Sequence, residues 1–221
     1  MALRAGAALR TALSLRASVI VLAAAVSGCT PVVTGMTVWV YEDRSAKVQL
    51  RDAAIHAGII ARFTGKDAAL PIDVDTEVWE GRVLLTGMLD DPALRDEVGA
   101  LVRKDSRVRA LYNEIQIVSK EEKESRRKER KKEEERRQKS EKEEAEGLGR
   151  IVGDAWVEAK IKTQLLLAGG VKSVNYRWQS VRRRVFIIGR ALSGRERATV
   201  LRILRQTDGV KSVKDFIEVK E

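Results

Sequence analysis

Cysteine and histidine, which most transition-metal centres and Cys–His catalytic pairs require, are almost absent from this sequence. The 221 residues include one cysteine and one histidine, so a disulfide within the chain is impossible and a Cys/His metal centre lacks its ligands. Asp73, Asp75 and Glu77 alternate with less polar residues within 72–77, a pattern typical of a strand whose polar face meets solvent. The sequence contains no nucleophile elbow, phosphate-binding loop or HExxH motif. We therefore predict a protein that is not an enzyme and that needs no cofactor or metal ion.

Cys29 is the one residue whose surroundings predict a covalent modification. Three arginines precede the apolar stretch 19–26, and two small residues come directly before the cysteine. This order is typical of a bacterial lipoprotein signal, in which the sulfur takes a diacylglycerol and the peptide is cut before it. The apolar stretch is shorter than the roughly 20 residues of a spanning helix; a transmembrane anchor and an ordinary signal peptide are the alternatives. Since Thr30 rather than Asp follows, we expect an outer-membrane protein facing the periplasm.

The positive charge of the chain is concentrated in its last third. Residues 148–221 contain 16 Lys and Arg against 7 Asp and Glu, a net charge of 16 − 7 = +9, whereas the whole chain carries +10. A region this basic attracts anions such as phospholipid headgroups, acidic proteins or nucleic acid. Because a nucleic-acid partner conflicts with export from the cell, we expect anionic phospholipid, with envelope proteins as further possible partners.

A segment of about 67 residues occurs twice. Residues 52–118 match residues 154–220 at one constant offset (154 − 52 = 102), without insertion or deletion. Val83 then matches Val185, and Gly87 matches Gly189. Accidental matches between apolar residues would not keep one register over this length. The sequence therefore predicts two copies of one small domain.

The first copy shows the order of elements. Asp52 is a candidate N-cap of an amphipathic helix that Gly65 ends, and the alternating stretch from residue 72 predicts a strand. Glu80-Gly81 predicts the turn of a hairpin. Asp91 with Pro92 predicts the start of a second helix, and residues 108–118 predict a closing strand. The fold class is α+β, with two tandem αββαβ domains, each a small sheet with two helices on one face.

This order and several short motifs resemble the BON-domain family. The second strand ends in Leu85-Thr86-Gly87 in the first copy and in Ile187-Ile188-Gly189 in the second, and the sequence Gly-Val-Lys-Ser-Val occupies residues 209–213. Each motif is weak alone, and their order in two copies is what carries the resemblance. The resemblance implies a periplasmic outer-membrane protein that binds anionic phospholipid through its second domain and supports envelope integrity, without catalysis.

The segment between the two copies departs from that family pattern. Residues 120–146 contain 12 positive and 11 negative side chains and no apolar stripe. Opposite charges recur four residues apart, as in Glu122 with Arg126 and Glu124 with Lys128, which stabilises an isolated helix. We predict a free-standing, solvent-exposed helix, with a disordered chain as the alternative. Two units of about 67 residues would each be marginally stable alone, so we expect them to dock; if the linker is a rigid helix, they would dock less closely than in shorter members of the family.

These features divide the chain into five parts. We expect a lipoprotein signal peptide at 1–28, a tether at 29–47 and a first domain at 48–118. A charged helical linker at 119–147 and a second domain at 148–221 follow.

The candidate phospholipid-binding residues all lie in the second domain. Trp156 and Lys160 stand one helical turn apart, and an indole beside an ammonium group suits the headgroup boundary of a membrane. Lys162 and Arg150 would add positive charge, and Arg182 with Arg183 would form a basic hairpin tip. The alternatives are a Trp that packs on the other domain or on the helix edge, and a turn that merely meets solvent. A scaffold for envelope assembly that uses the charged helix is the alternative function.

Overall fold

The computed structural model describes residues 42–140 and 153–220. Cys29, the tether residues 29–41 and Arg150 lie outside the described residues. None of the helices within these two ranges is both long and apolar enough to cross a membrane.

The first domain has two long helices, one short helix of four residues and a small hairpin-based sheet. Its elements are α1 (Ala46–Lys66), α2 (Leu70–Asp73), β1 (Val74–Trp79), β2 (Arg82–Leu89), α3 (Pro92–Arg103), β3 (Ala110–Asn113) and β4 (Gln116–Ile117). Strands β1 and β2 are antiparallel, while β3 and β4 both pair with β2 in parallel. The predicted closing strand is therefore broken into two short pieces.

The linker and the second domain follow. Helix α4 (Lys120–Ser140) comes first, and the second domain contains α5 (Asp154–Leu167), a short 3₁₀ turn (Ser173–Asn175), β5 (Tyr176–Val181), β6 (Arg184–Ala191), α6 (Gly194–Gln206) and β7 (Ser212–Val219). Strand β6 pairs antiparallel with β5 and parallel with β7. The predicted order αββαβ and the α+β class are confirmed in both copies.

Helix α1 begins earlier than predicted. Its N-cap is Ser45, whose hydroxyl accepts a hydrogen bond from Val48 N, so Asp52 lies inside the helix and is buried. The Asp52 carboxylate accepts from the backbone N–H groups of Glu80, at 2.6 Å, and Gly81, at 2.9 Å. These two residues form the β1–β2 turn and have φ values of 53° and 76°. Asp52 therefore holds the hairpin turn on the first helix instead of capping it.

The second copy repeats this arrangement. Asp154 accepts hydrogen bonds from Arg182 N at 2.8 Å and from Arg183 N at 2.6 Å, and both turn residues have positive φ. Asp52 and Asp154 hold equivalent positions in the repeat (154 − 52 = 102). The hairpin tip that we predicted to be basic is thus fixed from beneath by one buried carboxylate.

The matched glycines Gly87 and Gly189 allow a close approach of two backbone segments. Their φ angles are +120° and +157°, and a Cβ atom at either position would lie 2.1 Å from Asp73 O or 2.2 Å from Asn175 O. Side chains are excluded there by direct overlap with backbone.

The two sheets pack against each other through the faces that their own helices leave uncovered. A shared apolar cluster lies between them, and it contains Trp79, Leu84, Met88, Val118, Val181, Phe186 and Ile188, with Tyr112 and Phe216 at its margin. Arg82 is buried beside this cluster and donates to Phe216 O at 2.7 Å and to Gly189 O at 2.8 Å. The two domains are docked directly through their sheets, and the charged linker does not keep them apart.

The stretch Glu42–Arg44, within the part assigned to the tether, lies against both domains. Asp43 exchanges hydrogen bonds with Asn175 of the second domain, at 3.1 Å and 2.6 Å, and Glu42 pairs with Arg177. Arg44 turns to the first domain, where its guanidinium pairs with Asp52 at 2.7 Å. We name residues 42–44 the clip, because they connect the two domains outside the sheet interface.

Candidate functional site

Helices α5 and α6 form the outer layer of the second domain. Their inner sides pack on the sheet through Val157, Ile161, Leu165, Val200 and Leu204, which are all buried. The sheet itself is covered on its other face by the first domain. The outer sides of these two helices are therefore the broad surface of the second domain that remains exposed, and we name it the outer helical face.

Trp156 and Lys160 lie together on this face, as their spacing predicts. Lys160 Nζ stands 3.8 Å from the centroid of the Trp156 ring, and it also pairs with Asp208 at 3.0 Å. Trp156 is half-buried and packs against the core of the second domain. A Cβ atom on Gly209 would lie 2.9 Å from Trp156 Cζ3, so the ring rests on the loop before β7. One edge of the indole packs against the core, and part of the ring surface remains exposed.

The two turn arginines point in different directions. Arg183 Nε donates to Gly209 O at 2.7 Å, which brings Arg183 to the loop that supports Trp156. Arg182 Nε instead pairs with Glu122 of α4 at 2.9 Å. The structure therefore groups Arg183 with Trp156 and Lys160 but separates Arg182 from them.

Lys162 is exposed and makes no ion pair within the residues that the structure describes. It projects from a neighbouring side of α5, next to Ala159 and Leu166 on the helix surface. Its charge is therefore available to an external anion. Arg150 lies outside the described residues, and its predicted role stays a prediction.

The acidic residues of α5 and α6 all turn inward and bind backbone N–H groups. Asp154 holds the β5–β6 turn, Glu158 accepts from Ser180 N at 2.7 Å, and Glu196 accepts from Lys172 N at 2.8 Å and Leu192 N at 2.7 Å. Burial raises the pKa of Glu158 to about 7. None of the three carboxylates therefore contributes an exposed negative charge to the outer helical face.

The basic residues of the same two helices turn outward, except Arg197, which pairs with Asp215 of β7. Lys160 is half-buried and Lys162 is exposed, and the other exposed cations are Arg195, Arg202 and Arg205 of α6; none of these three arginines has an acidic partner among the described residues. We did not predict these arginines from the sequence. Their spacing on one side of an amphipathic helix was visible in the sequence, but only the fold shows that α6 lies beside α5. With Asp208 neutralised by Lys160, the face is cationic.

An apolar end completes the outer helical face. Leu166 and Leu167 close α5 and expose 62% and 81% of their surface. Exposed leucines beside unpaired cations form an amphipathic surface suited to a membrane boundary.

The first domain lacks this charge pattern. Asp96 and Glu97 project from α3 and pair with Arg95 and Lys66 at 3.1 Å and 2.7 Å. Exposed positive and negative side chains are therefore mixed on its helices. Neither domain, within the described residues, has a cluster of His, Cys, Asp or Glu arranged to hold a metal ion.

Both copies of the repeat match one known protein family. The sequence profile of the family described as BON domain matches residues 51–119 and 153–221. A protein of Anaplasma centrale, named "Uncharacterized protein in gshII 5'region", is 29% identical over 147 residues, which cover 66% of this chain and 82% of that protein.

Two solved structures are distantly similar. Both come from CdsD, a structural protein of the type III secretion system of Chlamydia trachomatis. One is 12% identical, covers 78% of this chain and 92% of its own, and has a TM-score of 0.28. The other, the C-terminal domain, is 13% identical, covers 73% and 96%, and has a TM-score of 0.29. Neither likeness is close enough to bear on the role of this chain.

Proposed function

Because this chain belongs to the BON-domain family, we propose that its second domain binds anionic phospholipid through the outer helical face. BON domains are non-enzymatic binding domains that associate in general with membranes or phospholipids. The specific lipid class, the face and the residues are our proposal.

The observation that carries the proposal is the sorting of charge on α5 and α6. The carboxylates of Asp154, Glu158 and Glu196 bind backbone groups on the inner side, while five of the six lysines and arginines occupy the outer side; the sixth, Arg197, pairs with Asp215. Each basic side chain near an anionic membrane surface contributes about 1 kcal/mol of attraction. Four outward cations without an acidic partner would together supply a reversible, salt-sensitive affinity.

The roles of the individual residues follow from their positions. Lys162 and the α6 arginines would bind headgroups, while the exposed edge of Trp156 would lie at the headgroup boundary. Lys160 stacks on that indole and would orient it. Arg183 holds the supporting loop, so we assign it a positioning role. Arg182, paired with Glu122, would contribute least.

The second part of the proposal concerns attachment and location. We propose that a lipid on Cys29 anchors the mature chain to the periplasmic side of the outer membrane, where the protein supports envelope integrity. The anchor would hold the second domain close to the bilayer and raise its effective concentration there. Replacing Cys29 by Ser should release the protein into the soluble periplasmic fraction; retention in the outer membrane would contradict a lipid anchor.

Vesicle co-sedimentation tests the proposed contact. A form of the chain that starts at residue 30 should sediment with vesicles that contain anionic lipid, and it should stay in solution with purely zwitterionic vesicles. Raising the salt concentration to about 0.5 M should weaken the binding, because the Debye length then falls to a few ångströms. Equal binding to both vesicle types, or no binding to either, would overturn the proposal.

A second candidate function is a scaffold for envelope assembly proteins. One observation favours it: among the described side chains of α4, Arg130 is the furthest along the helix that pairs with a domain, yet the helix continues to Ser140. At 1.5 Å per residue the helix beyond Arg130 is about 15 Å long. Deleting residues 131–146, which keeps Arg150, should leave lipid binding unchanged and abolish a scaffold function.

A further inference from the structure

Helix α4 lies across the junction of the two domains instead of standing free in solvent. Its basic residues Lys123, Arg126, Arg127 and Arg130 are half-buried, whereas Lys128 between them is exposed. The four half-buried cations follow the spacing i, i+3, i+4, i+7, which places them on one side of a helix. We name this set the basic stripe.

Three members of the basic stripe pair with the first domain. Lys123 pairs with Asp90, Arg127 Nε lies 2.6 Å from Asp73 Oδ1, and Arg130 pairs with Asp75 at 2.9 Å. Asp73 and Asp75 belong to the stretch that we predicted to be a solvated strand face. That prediction is wrong, since Asp73 ends α2 and is buried, and both carboxylates bind α4.

The same helix also reaches the second domain. Arg126 lies 3.5 Å from Asp154, and Glu122 pairs with Arg182 at 2.9 Å. Carboxylates of both domains therefore line one groove at their junction, which we name the acidic groove, and one helix fills it.

Charge, rather than apolar contact, holds α4 in the acidic groove. Residues 120–132 contain no apolar side chain, so the helix buries little that would resist its release into water. The four cations keep between 14% and 38% of their side-chain surface exposed, and ion pairs that reach solvent weaken with salt. The domains are joined independently through Trp79, Phe186 and the rest of the shared apolar cluster, so the groove would persist without its helix.

The course of the chain also permits release. Arg126 of α4 stands beside Asp154 at the start of α5, although 27 residues separate the two in the sequence (154 − 126 − 1 = 27). The linker therefore does not need to span a distance, and lifting α4 breaks no covalent or topological constraint.

From these contacts we propose that α4 is a detachable strap, and that the acidic groove is a binding site for a helix that presents a basic stripe of this spacing. Within one chain α4 is the occupant. When α4 is displaced, the groove accepts the same stripe on a separate molecule, such as the α4 segment of a second copy of this chain. This inference is independent of the proposed lipid binding.

A peptide-binding experiment tests the strap. The protein variant Arg126→Gln/Arg127→Gln/Arg130→Gln should release its own helix and bind a fluorescent peptide of residues 118–134. Anisotropy should show an affinity at least about tenfold above that of the unaltered protein, and about 0.5 M salt should abolish it. A matched control, Lys128→Gln/Lys131→Gln/Lys132→Gln, removes the same charge from exposed positions of α4 and should bind no better than the unaltered protein.

A second variant tests the same inference in case the triple Arg→Gln variant does not fold. Replacing residues 121–150 by a flexible Gly/Ser linker of about 12 residues removes the strap and leaves both domains intact. This variant should bind the peptide, and the peptide with the three arginines replaced by Gln should not bind. Absence of binding to both variants, with circular dichroism showing them folded, would overturn the inference, as would equal binding to the unaltered protein.

Discussion

Gln179 donates a hydrogen bond from Nε2 to Glu77 Oε1 at 3.2 Å, and the two residues hold the same position in the two repeats (179 − 77 = 102). Two equivalent positions can touch only near a symmetry axis. The two domains are thus docked about an internal pseudo-two-fold axis that passes between β1 and β5.

The two sides of this axis have different chemistry. Tyr112 stacks on Phe216 with ring centroids 4.2 Å apart, and the equivalent contact on the other side is an ion pair of 2.6 Å between Lys214 and Glu114. A pair of first domains would place Tyr112 against Glu114, and a pair of second domains would place Lys214 against Phe216. The interface therefore favours the union of one first and one second domain.

Tyr112→Ala and Lys214→Ala test this asymmetry at equivalent positions. Loss of the stacked ring should lower the free energy of unfolding by about 2–4 kcal/mol. Loss of the lysine, whose side chain is 54% exposed, should cost less than about 1 kcal/mol. Urea denaturation of the two variants gives both values. Equal losses would show that the stacked rings stabilise the interface no more than the ion pair does.

Gly87→Ala should destabilise the first domain severely. A Cβ atom would overlap Asp73 O at 2.1 Å, and the φ of +120° disfavours any side chain. We expect a loss of more than about 3 kcal/mol in thermal or urea unfolding. Gly65→Ala is the matched control, because nothing lies within 4 Å of its added atom; it should be neutral or stabilise by up to about 1 kcal/mol.

The stability of the protein should depend on pH through Glu158. Its pKa is about 7 in the folded chain and near 4.5 in the unfolded chain, so the folded state alone holds the proton between these values. The contribution of Glu158 to the free energy of unfolding is therefore fully present below about pH 4.5 and is lost as the pH rises towards 7. Asp75 and Asp154 oppose its ionisation, while Arg126 and the N–H of Ser180 favour it.

Glu158→Gln removes this titration and provides the measurement. Between pH 5 and pH 8, the melting temperature of the variant should rise by several degrees relative to that of the unaltered protein. This corresponds to a relative gain in the free energy of unfolding on the order of 2 kcal/mol. A constant difference between the two proteins over this range would contradict the assignment.

Reversing charge on the outer helical face should reduce vesicle binding. Lys162→Glu/Arg205→Glu changes two exposed cations of α5 and α6 and should lower affinity for anionic vesicles at least about tenfold. Arg51→Glu/Lys104→Glu makes the same change in charge on the first domain, where both side chains are exposed, and should have a much smaller effect. Equal losses would mean that net charge, not this face, governs binding.

Trp156→Ala addresses the indole separately. Lost contact at the headgroup boundary should weaken vesicle binding even at low salt, while the remaining cations keep the preference for anionic lipid. Because Trp156 also packs on the core, the comparison is made with variants shown to be folded by circular dichroism. Unchanged affinity would remove Trp156 from the proposed site.

Local signals predicted the order of elements well. Asp91 caps α3 by accepting from Ala93 N, with Pro92 at the first position, and the Glu80-Gly81 turn has the positive φ values that a two-residue hairpin needs. These features depend on neighbouring residues, so a single sequence contains them. Asp52 was misjudged because its partners, the N–H groups of residues 80 and 81, are distant in sequence.

Contacts between domains were the part that the sequence did not reveal. Strand β2 is buried along its whole length, and its unbroken apolar stretch at 83–85 was compatible with burial on both faces. We predicted that helix α4 is exposed to solvent because it has no apolar stripe. A stripe of basic residues, however, can also form the buried side of a helix. Its acidic partners come from three separate stretches of the chain, so only the fold brings them together.

For the candidate site, the sequence placed Trp156 beside Lys160 correctly. It did not predict the α6 arginines or the separation of Arg182 from Arg183, because the first requires the packing of two helices and the second depends on Glu122 of a remote segment.

The clip at residues 42–44 determines where force enters the folded protein. Tension on an anchor at Cys29 would reach Glu42 and Asp43 first, and these residues are bonded to the second domain, while Arg44 is bonded to the first. Tension on the proposed anchor would therefore act on both domains at once, before it could separate α1 from its sheet. Because the clip is bonded to both domains, the two domains would resist that tension together.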